Sequence, residues 1–356
     1  MKILAVDIGA GTQDVLLYDS DKNLENCFKM VLPAHSLIYA DELFKFADSD
    51  KKQLLIYGNC IGGGKIKKAL KYAGSKKEIF ITKEAFRTFT YHGEKSSDFN
   101  VKIISDDDAN HKIKSAEVDA TMKFSESDLG LFKNFPGFGE FDAVCYAVQE
   151  HGARENTSNR VYRFGVFKEK LGKFKDFRDL AMTNYDEIEN SFYRFKSLFR
   201  SLKSQRDNVL LMDTAHCAVL GCMQDEYVKD LNDYLLINFG NGHTTFAIIH
   251  DDKVISYMEH HTKCLKDPEK VKNLMRKFAD GNVTNEEIYN DGGNGAIIFE
   301  TIGFDNIKKV VVTGPNRNLI KETGLDYYFA SPGGDMMMTG PIGLIASAKK
   351  KFADYN

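Results

Sequence analysis

The chain opens on a pattern of apolar and polar positions that reads as two strands bent around a glycine turn. Ile3–Val6 and Val15–Tyr18 are short apolar runs of the kind that fill a buried sheet. Between them lies Asp7-Ile8-Gly9-Ala10-Gly11-Thr12-Gln13-Asp14. The pattern returns in Tyr234–Asp251, with an apolar run, alternate glycines, Thr244 and Thr245, and a second run at Phe246–Ile249. Asn238, Gly240 and Gly242 take the places of Asp7, Gly9 and Gly11 at one constant offset. Either turn alone fits an ordinary hairpin. Together they predict two similar halves.

The intervening pattern is α/β in character. Cys27–Leu32 reads as a third strand, Asp41–Ala47 as a short helix, and Leu54–Tyr57 as a buried strand running into the turn Gly58–Lys65. A helix over Ile66–Ala73 follows. Residues 75–140 are less regular, with strands at Glu78–Thr82 and Val101–Ser105 and a breaker at Phe135-Pro136-Gly137-Phe138-Gly139; they read as an insertion or lid in the first half. Asp106–Asp108 reads as a solvated turn or helix cap. Ala143–Val148 and Val209–Met212 are strands, Ile188–Leu202 has helical spacing with an aromatic stripe, and Asp213 opens a helix to about Met223. The second half adds a strand at Lys253–His260, helices at Pro268–Ala279 and from about Asn285, and strands at Lys309–Thr313 and Tyr327–Ala330. Lys309–Thr313, ending in Gly314-Pro315-Asn316, is expected to occupy the place of Leu55–Gly58 in the first half. A final helix carries Gly340, Gly343, Ala346 and Ala348, small residues that permit close helix packing. The expected division is a lobe over 1–212, with its insertion at about 75–140, and a lobe over 213–356 whose last helix, 335–356, packs back on the first.

Composition narrows the function. At 356 residues, 43% hydrophobic and 28% charged, the chain can fill two cores. A net charge of −3 gives no bulk attraction to nucleic acid or an anionic membrane. No apolar run approaches the ~20 residues that span a bilayer, and the first residues lack the regions of a signal peptide. A cytoplasmic protein is expected. The six cysteines are scattered with no C-x-x-C pair, which fits buried thiols better than metal ligands.

Alternating glycines expose backbone amides, and such nests hold phosphate. Gly9, Ala10, Gly11, Thr12 and Gln13 on one side, and Asn238, Gly240, Asn241, Gly242 and His243 on the other, suggest a nucleotide clamped between the halves. Asp7, at the end of a strand, can hold Mg²⁺ through water. Past the carboxyl end of Ala143–Val148, Glu150 or His151 can orient a water or accept its proton, and Arg160 and Arg163 can clamp phosphate or carboxylate. Polar-loop readings of that segment remain open. Asp213 is a natural N-cap, and can also be the carboxylate that positions water opposite the γ-phosphate. His216 reads as packing.

With β-β-β-α-β-α-β-α legible in each half, the chain resembles the actin/Hsp70/sugar-kinase superfamily, an actin-like ATPase fold of doubled ribonuclease H-like lobes with a nucleotide cleft between them. The resemblance makes Asp7–Asp14 and Asn238–Thr245 the phosphate loops, Leu210–Met223 and Gly334–Ala348 the connecting helices, and Gly314, Pro315 and Asn316 the adenosine motif. It implies ATP and Mg²⁺ as cofactors, with catalytic roles for Asp7, Asp213 and Glu150. More closely, the chain resembles a mostly archaeal domain family labelled as a pyruvate formate-lyase activating enzyme, through Asp7–Asp14, Gly62–Gly64, Val148–Gly152, Ser158–Arg160 and Thr313–Pro315. The closely spaced cysteines, C-x-x-x-C-x-x-C, that hold the cluster of a radical activator are absent. The second phosphate loop of the superfamily usually opens with aspartate, and here it opens with Asn238, which lends a magnesium-bound water no charge. Two functions stay open: an ATP-cleaving, phosphotransferase-type protein with an unassigned acceptor, and a nucleotide-dependent switch acting on a protein partner.

Overall fold

The computed structural model describes residues 1–91, 93–132, 141–153, 157–173 and 176–353, without the side chains of 131, 132 and 173. The expected breaker at Phe135–Gly139 lies outside them.

The chain begins with a hairpin of β1 (Lys2–Ile8) and β2 (Thr12–Asp19), to which β3 (Phe28–Pro33) adds antiparallel. The Gly9 amide donates to the Thr12 carbonyl at 2.9 Å and closes the turn. There follow α1 (His35–Ala47), β4 (Gln53–Gly58), α2 (Ile66–Gly74), β5 (Glu78–Thr82), α3 (Lys83–Phe86), β6 (Val101–Ile104), α4 (Asp106–Lys114) and β7 (Ala120–Phe124). These form a separate parallel sheet, in the order β6-β5-β4-β7, around a core of their own. Asp106–Asp108 make the first turn of α4, capped by Ser105, where carboxylates complement the helix dipole.

This sheet corrects two expectations. The inserted unit takes in α1, β4 and the glycine turn after it, so it begins well before residue 75. The place of Lys309–Thr313 is matched in the first half by Ala143–Val148, not by Leu55–Gly58. A buried parallel strand has one apolar pattern whichever sheet it joins, and only its long-range pairing tells them apart.

The chain then returns to the first sheet through β8 (Ala143–Val148), parallel to β1. Past α5 (Asn159–Lys173) and α6 (Tyr193–Lys203), β9 (Val209–Asp213) pairs parallel to β8. The order is β3-β2-β1-β8-β9. The helix expected from Ile188 starts only at Tyr193, after Phe192 takes a non-helical φ of −90° and ψ of 75°. Next comes α7 (Thr214–Cys222), N-capped by Asp213 as expected.

The second half repeats the plan with β10 (Asp233–Phe239), β11 (His243–His250), β12 (Lys253–His261), α8 (Pro268–Ala279), α9 (Asn285–Asn290), β13 (Gly295–Ile298), β14 (Lys309–Thr313), β15 (Tyr327–Phe329) and α10 (Thr339–Lys351). Its sheet runs β13-β12-β11-β10-β14-β15. Without the edge strand β13, this is the order of the first sheet. The molecule is therefore a doubled α/β fold of two lobes, with a third sheet set into the first.

Two helices weld the lobes. α10 packs on α7 and reaches back to β1, β2 and β8. A Cβ at Gly221 would stand 1.7 Å from the Thr339 carbonyl oxygen, and one at Gly343 would stand 2.0 Å from that of Cys217. Only glycine lets the two backbones meet there. One hydrophobic core runs from Ile3 and Val144 in the first lobe to Tyr257 and Val311 in the second. Among the described residues no helix is long and apolar enough to cross a membrane.

Candidate functional site

Each lobe places a glycine hairpin at the same point of its sheet, and the two tips face one another. In the second, the Gly240 amide donates to the His243 carbonyl at 3.0 Å, as Gly9 does to Thr12. The tips touch: a Cβ on Gly11 would lie 2.7 Å from Asn241 Nδ2, and one on Gly242 would lie 3.8 Å from the Ala10 Cβ. Neighbours brace each hairpin alike. Gly11 O accepts from Ala34 N at 3.1 Å, and Gly242 O accepts from Thr262 N at 3.1 Å. Gly240 O accepts further bonds of 2.9 Å from Thr262 Oγ1 and Asn316 Nδ2.

A cavity lies on either side of the touching tips. The smaller, about 100 Å³, is lined by Asp7, Gly9, Ala10, Thr12 and Asp14 of the first hairpin and by Asn238, Gly240 and Asn241 of the second. Gly314, Pro315, Thr214 and the start of α10 close it. The larger, about 250 Å³, opens toward the inserted sheet, between Gly62–Gly64, Gln149, His151, Arg194, Gly242, His243 and Glu259. Gly9, Ala10, Asn238, Gly240 and Asn241 border both.

Asp7 is only 8% exposed, and its Oδ1 is buried without a hydrogen-bond partner. Burial pushes its pKa up to about 8, and the neighbouring Asp14 carboxylate raises it further while Thr214 opposes. Asp14 stands directly across the hairpin from Asp7, and its Oδ1 is likewise buried and unpartnered. Burial and the carboxylate of Asp335 push Asp14 up to about 7, against a hydrogen bond from Thr12.

Other expected residues sit elsewhere. Glu150 is fully buried; its carboxylate accepts from the amides of His151 and Gly152 and, at 2.9 Å, from Phe195 N at the start of α6. It borders neither cavity, whereas Gln149 and His151 beside it border the larger. Asp213 caps α7 through Ala215 N and pairs at 2.9 Å with Arg163, so its neighbour Thr214 is the one that reaches the cavities. The Gln13 side chain donates to Pro33 O at 3.1 Å, away from the cleft. Asn316 props Gly240 and borders neither of these two cavities. The arginines expected to clamp a ligand bind the protein itself. Arg163, 2% exposed, ties Asp213 of one lobe to Glu259 of the other, at 2.9 and 2.8 Å. Arg160 lies over the Tyr289 ring and donates to Gly293 O. His216 packs against Phe167, Phe177 and Tyr257, as expected.

Residues that the pattern did not mark also shape the larger cavity. Arg194 forks onto Glu126, with Nε–Oε2 at 2.9 Å and Nη2–Oε1 at 2.6 Å, and donates to Gln149 O at 2.8 Å. Glu126 Oε1 also accepts from Gly62 N at 3.1 Å, which fixes the glycine turn of the inserted sheet against the first lobe. Glu259 accepts from Gln149 Nε2 at 3.0 Å as well as from Arg163. Burial pushes the His151 pKa down to about 3, with Arg163 and His243 adding to it, so its ring is neutral.

The model of the family described as "Putative pyruvate format-lyase activating enzyme (DUF1786)" matches residues 61–319. No curated protein matches. Similar solved structures include the ethanolamine utilization protein EutJ from Carboxydothermus hydrogenoformans, 9% identical over 97% of this chain and 89% of that one, with a TM-score of 0.30. A ROK hexokinase from Thermus thermophilus is 10% identical over 99% and 100%, with a TM-score of 0.35. An activator of 2-hydroxyisocaproyl-CoA dehydratase from Clostridium difficile, solved with bound ADPNP, is 8% identical over 100% and 97%, with a TM-score of 0.30. At such scores these likenesses carry no argument about what the chain does.

Proposed function

The chain belongs to the DUF1786 family, and we propose that it binds ATP between its lobes and cleaves it, passing the phosphoryl group to an acceptor or to water. One observation carries this reading: both glycine hairpins and the Gly314-Pro315 turn border the same cavity. In this reading the amides of Gly9–Gln13 and Gly240–His243 hold the phosphates, and the base and ribose rest toward Gly314, Pro315 and the start of α10. Mg²⁺ fits the orphaned Oδ1 of Asp7, since that ion takes one or two carboxylates and keeps several waters. When bound it supplies charge neutralisation at the phosphates.

The chain's own part is positioning. Parting Asn241 from Gly11 admits the phosphates between the tips. The larger cavity then lies beyond the terminal phosphate and receives the acceptor, with Gln149 Oε1 and the neutral His151 ring as hydrogen-bonding groups. The fork of Arg194 on Glu126 holds the Gly62–Gly64 turn as the far wall, so that acceptor and phosphate meet in line. Asp213 and Glu150 act through the backbones they hold.

The donor set speaks against the radical activity in the family's description. Among the described residues, which include all six cysteines, no group of three or more His, Cys, Asp or Glu side chains can hold a metal ion, and five of the cysteines are buried.

Asn238 favours a second reading, a switch that binds nucleotide without cleaving it. A melting experiment with MgATP and a phosphate-release assay separate the two. The first reading expects stabilisation of about 2.7 kcal/mol at a free ligand concentration of roughly 100 Kd, and release that Asp7→Ala abolishes. Stabilisation without release supports the switch, and no stabilisation sinks both.

A further inference from the structure

We propose that Asp7 and Asp14 together form a divalent-cation site that fills before any nucleotide arrives. The proposal rests on the reading of this cleft as a metal–nucleotide site and adds a second carboxylate and an order of binding to it.

Among the described residues, the protein answers each of its other buried carboxylates. Glu126 is answered by Arg194, and Asp213 and Glu259 by Arg163. Glu150 takes three backbone amides. Asp225 takes the Tyr328 hydroxyl at 3.0 Å and the amides of Ser331 and Tyr227 at 2.9 and 3.1 Å. Asp7 breaks the rule. It too is more than nine-tenths buried, yet its Oδ1 has no partner, and neither has Oδ1 of Asp14. Leaving a buried carboxylate oxygen unanswered is costly, and more so when it is charged.

Register makes the two a pair. Asp7 and Asp14 are direct partners across the β1–β2 ladder, so both side chains leave the same face of the sheet, and both border the smaller cavity. No Lys, Arg or His borders that cavity. The hydroxyls of Thr12, Thr214 and Thr339 and the amide of Asn238 supply neutral oxygens. Two carboxylates, neutral oxygens and room for water suit a hard cation of the Mg²⁺ or Mn²⁺ class, and do not suit a soft one. A single aspartate would leave most of the charge to the phosphates and let nucleotide bring the metal in. Two carboxylates supply the charge without nucleotide.

The test uses the full chain, stripped of metal, with Mn²⁺ alone as the probe. Free Mn²⁺ is followed by electron paramagnetic resonance. One ion bound per chain, displaced by Mg²⁺, is expected without nucleotide. Asp14→Asn is expected to weaken it by more than about tenfold, the scale on which even a residue that merely supports a ligand acts. Asp7→Asn is the second variant, and a metal-free melt of each confirms the fold; either substitution removes an unanswered charge, so neither should melt early. Wild type that binds Mn²⁺ only together with ATP overturns the proposal and leaves the nucleotide reading standing. No Mn²⁺ with or without ATP removes both. Equal retention by Asp14→Asn overturns the pairing.

Discussion

In the first hairpin Asp7 faces Asp14 across the ladder, and in the second, at the same register, Asn238 faces Thr245. The backbones match, down to the amide that closes each turn and the distant amide that braces each tip. The charges do not. At this register up to two negative charges stand on the first hairpin and none on the second. A symmetric pair of aspartates would repel phosphate from both sides, at about 4 kcal/mol for unit charges about 4 Å apart at an effective dielectric near 20. Duplicating the backbone and then dividing the charge leaves both tips for phosphate and the first hairpin alone for a cation. Asn238 thus reads less as a lost catalytic group than as half of a division of labour.

Restoring the symmetry should break the function. Asn238→Asp places a carboxylate where the phosphates are proposed to rest, and metal-free ATP binding should weaken by about a hundredfold or more on the same Coulomb arithmetic. Isothermal titration in the presence of a chelator checks it. Affinity that does not change would mean that the second hairpin does not hold phosphate.

The next largest effect separates fold from function. A glycine backs each polar residue: a Cβ on Gly340 would lie 1.9 Å from Asp7 Oδ2, and one on Gly314 would lie 2.5 Å from Asn238 Oδ1 and from Phe239 O. Gly314 also has φ +93°, which a side chain tolerates poorly. Gly314→Ala should therefore cost about 3 kcal/mol of stability, combining the backbone conflict with overpacking. The nearest atoms to a Cβ on Gly340 all belong to the Asp7 side chain, with Cγ at 2.6 Å and Cβ at 2.9 Å as well as Oδ2, and none is backbone. Gly340→Ala should cost less stability but push the Asp7 carboxylate aside, and lose Mn²⁺ binding and phosphate release as Asp7→Ala does. Denaturant melts beside both assays would show whether the two losses part in this way.

Much of this comparison was legible in the chain. The constant offset between the glycine turns marked the doubling, and strand periodicity placed nearly every element of both central sheets. Asp14 was within reach too, because a hairpin closed between Gly9 and Thr12 sets residue 14 opposite residue 7. What stayed hidden depended on long-range pairing. β4 carries the same apolar run as β8, so nothing local said that it belongs to a third sheet. Arg194 lay inside the aromatic stripe of Phe192 and Phe195, and Glu126 in an unmarked loop; neither has meaning until the inserted sheet folds back and brings them together at 2.6 Å. Glu150 and Arg163 misled for the opposite reason, since polar residues past a strand's carboxyl end can serve the protein's own helix starts and lobe contacts as readily as a ligand.

Variants on either hairpin need a common baseline, and His216 provides one where the halves meet. It lies in α7, 1% exposed, with ring centroids 4.6 Å from Phe167, 4.8 Å from Phe177 and 5.2 Å from Tyr257 of β12. Burial pushes its pKa down to about 4, only partly opposed by Asp213, and its Nε2 has no partner. An unfolded chain binds a proton at this residue below about pH 6.5 and the native chain does not, so the His216 contribution to stability rises with pH through the window from about 4 to 6.5 and levels off above it. Integrated over that window the loss on acidification approaches about 3 kcal/mol, and at pH 5.5 it is roughly 1 kcal/mol or a little more. Asp7 and Asp14, raised to about 8 and 7, lose stability as pH rises and so oppose this slope. It is therefore read as the difference between wild type and His216→Phe, which keeps a ring in the slot and removes the proton, in urea melts at pH 7.5, 5.5 and 4.5. The wild type should lose about that amount more than His216→Phe on acidification, and two melts that shift in parallel would place the acid sensitivity in some other group.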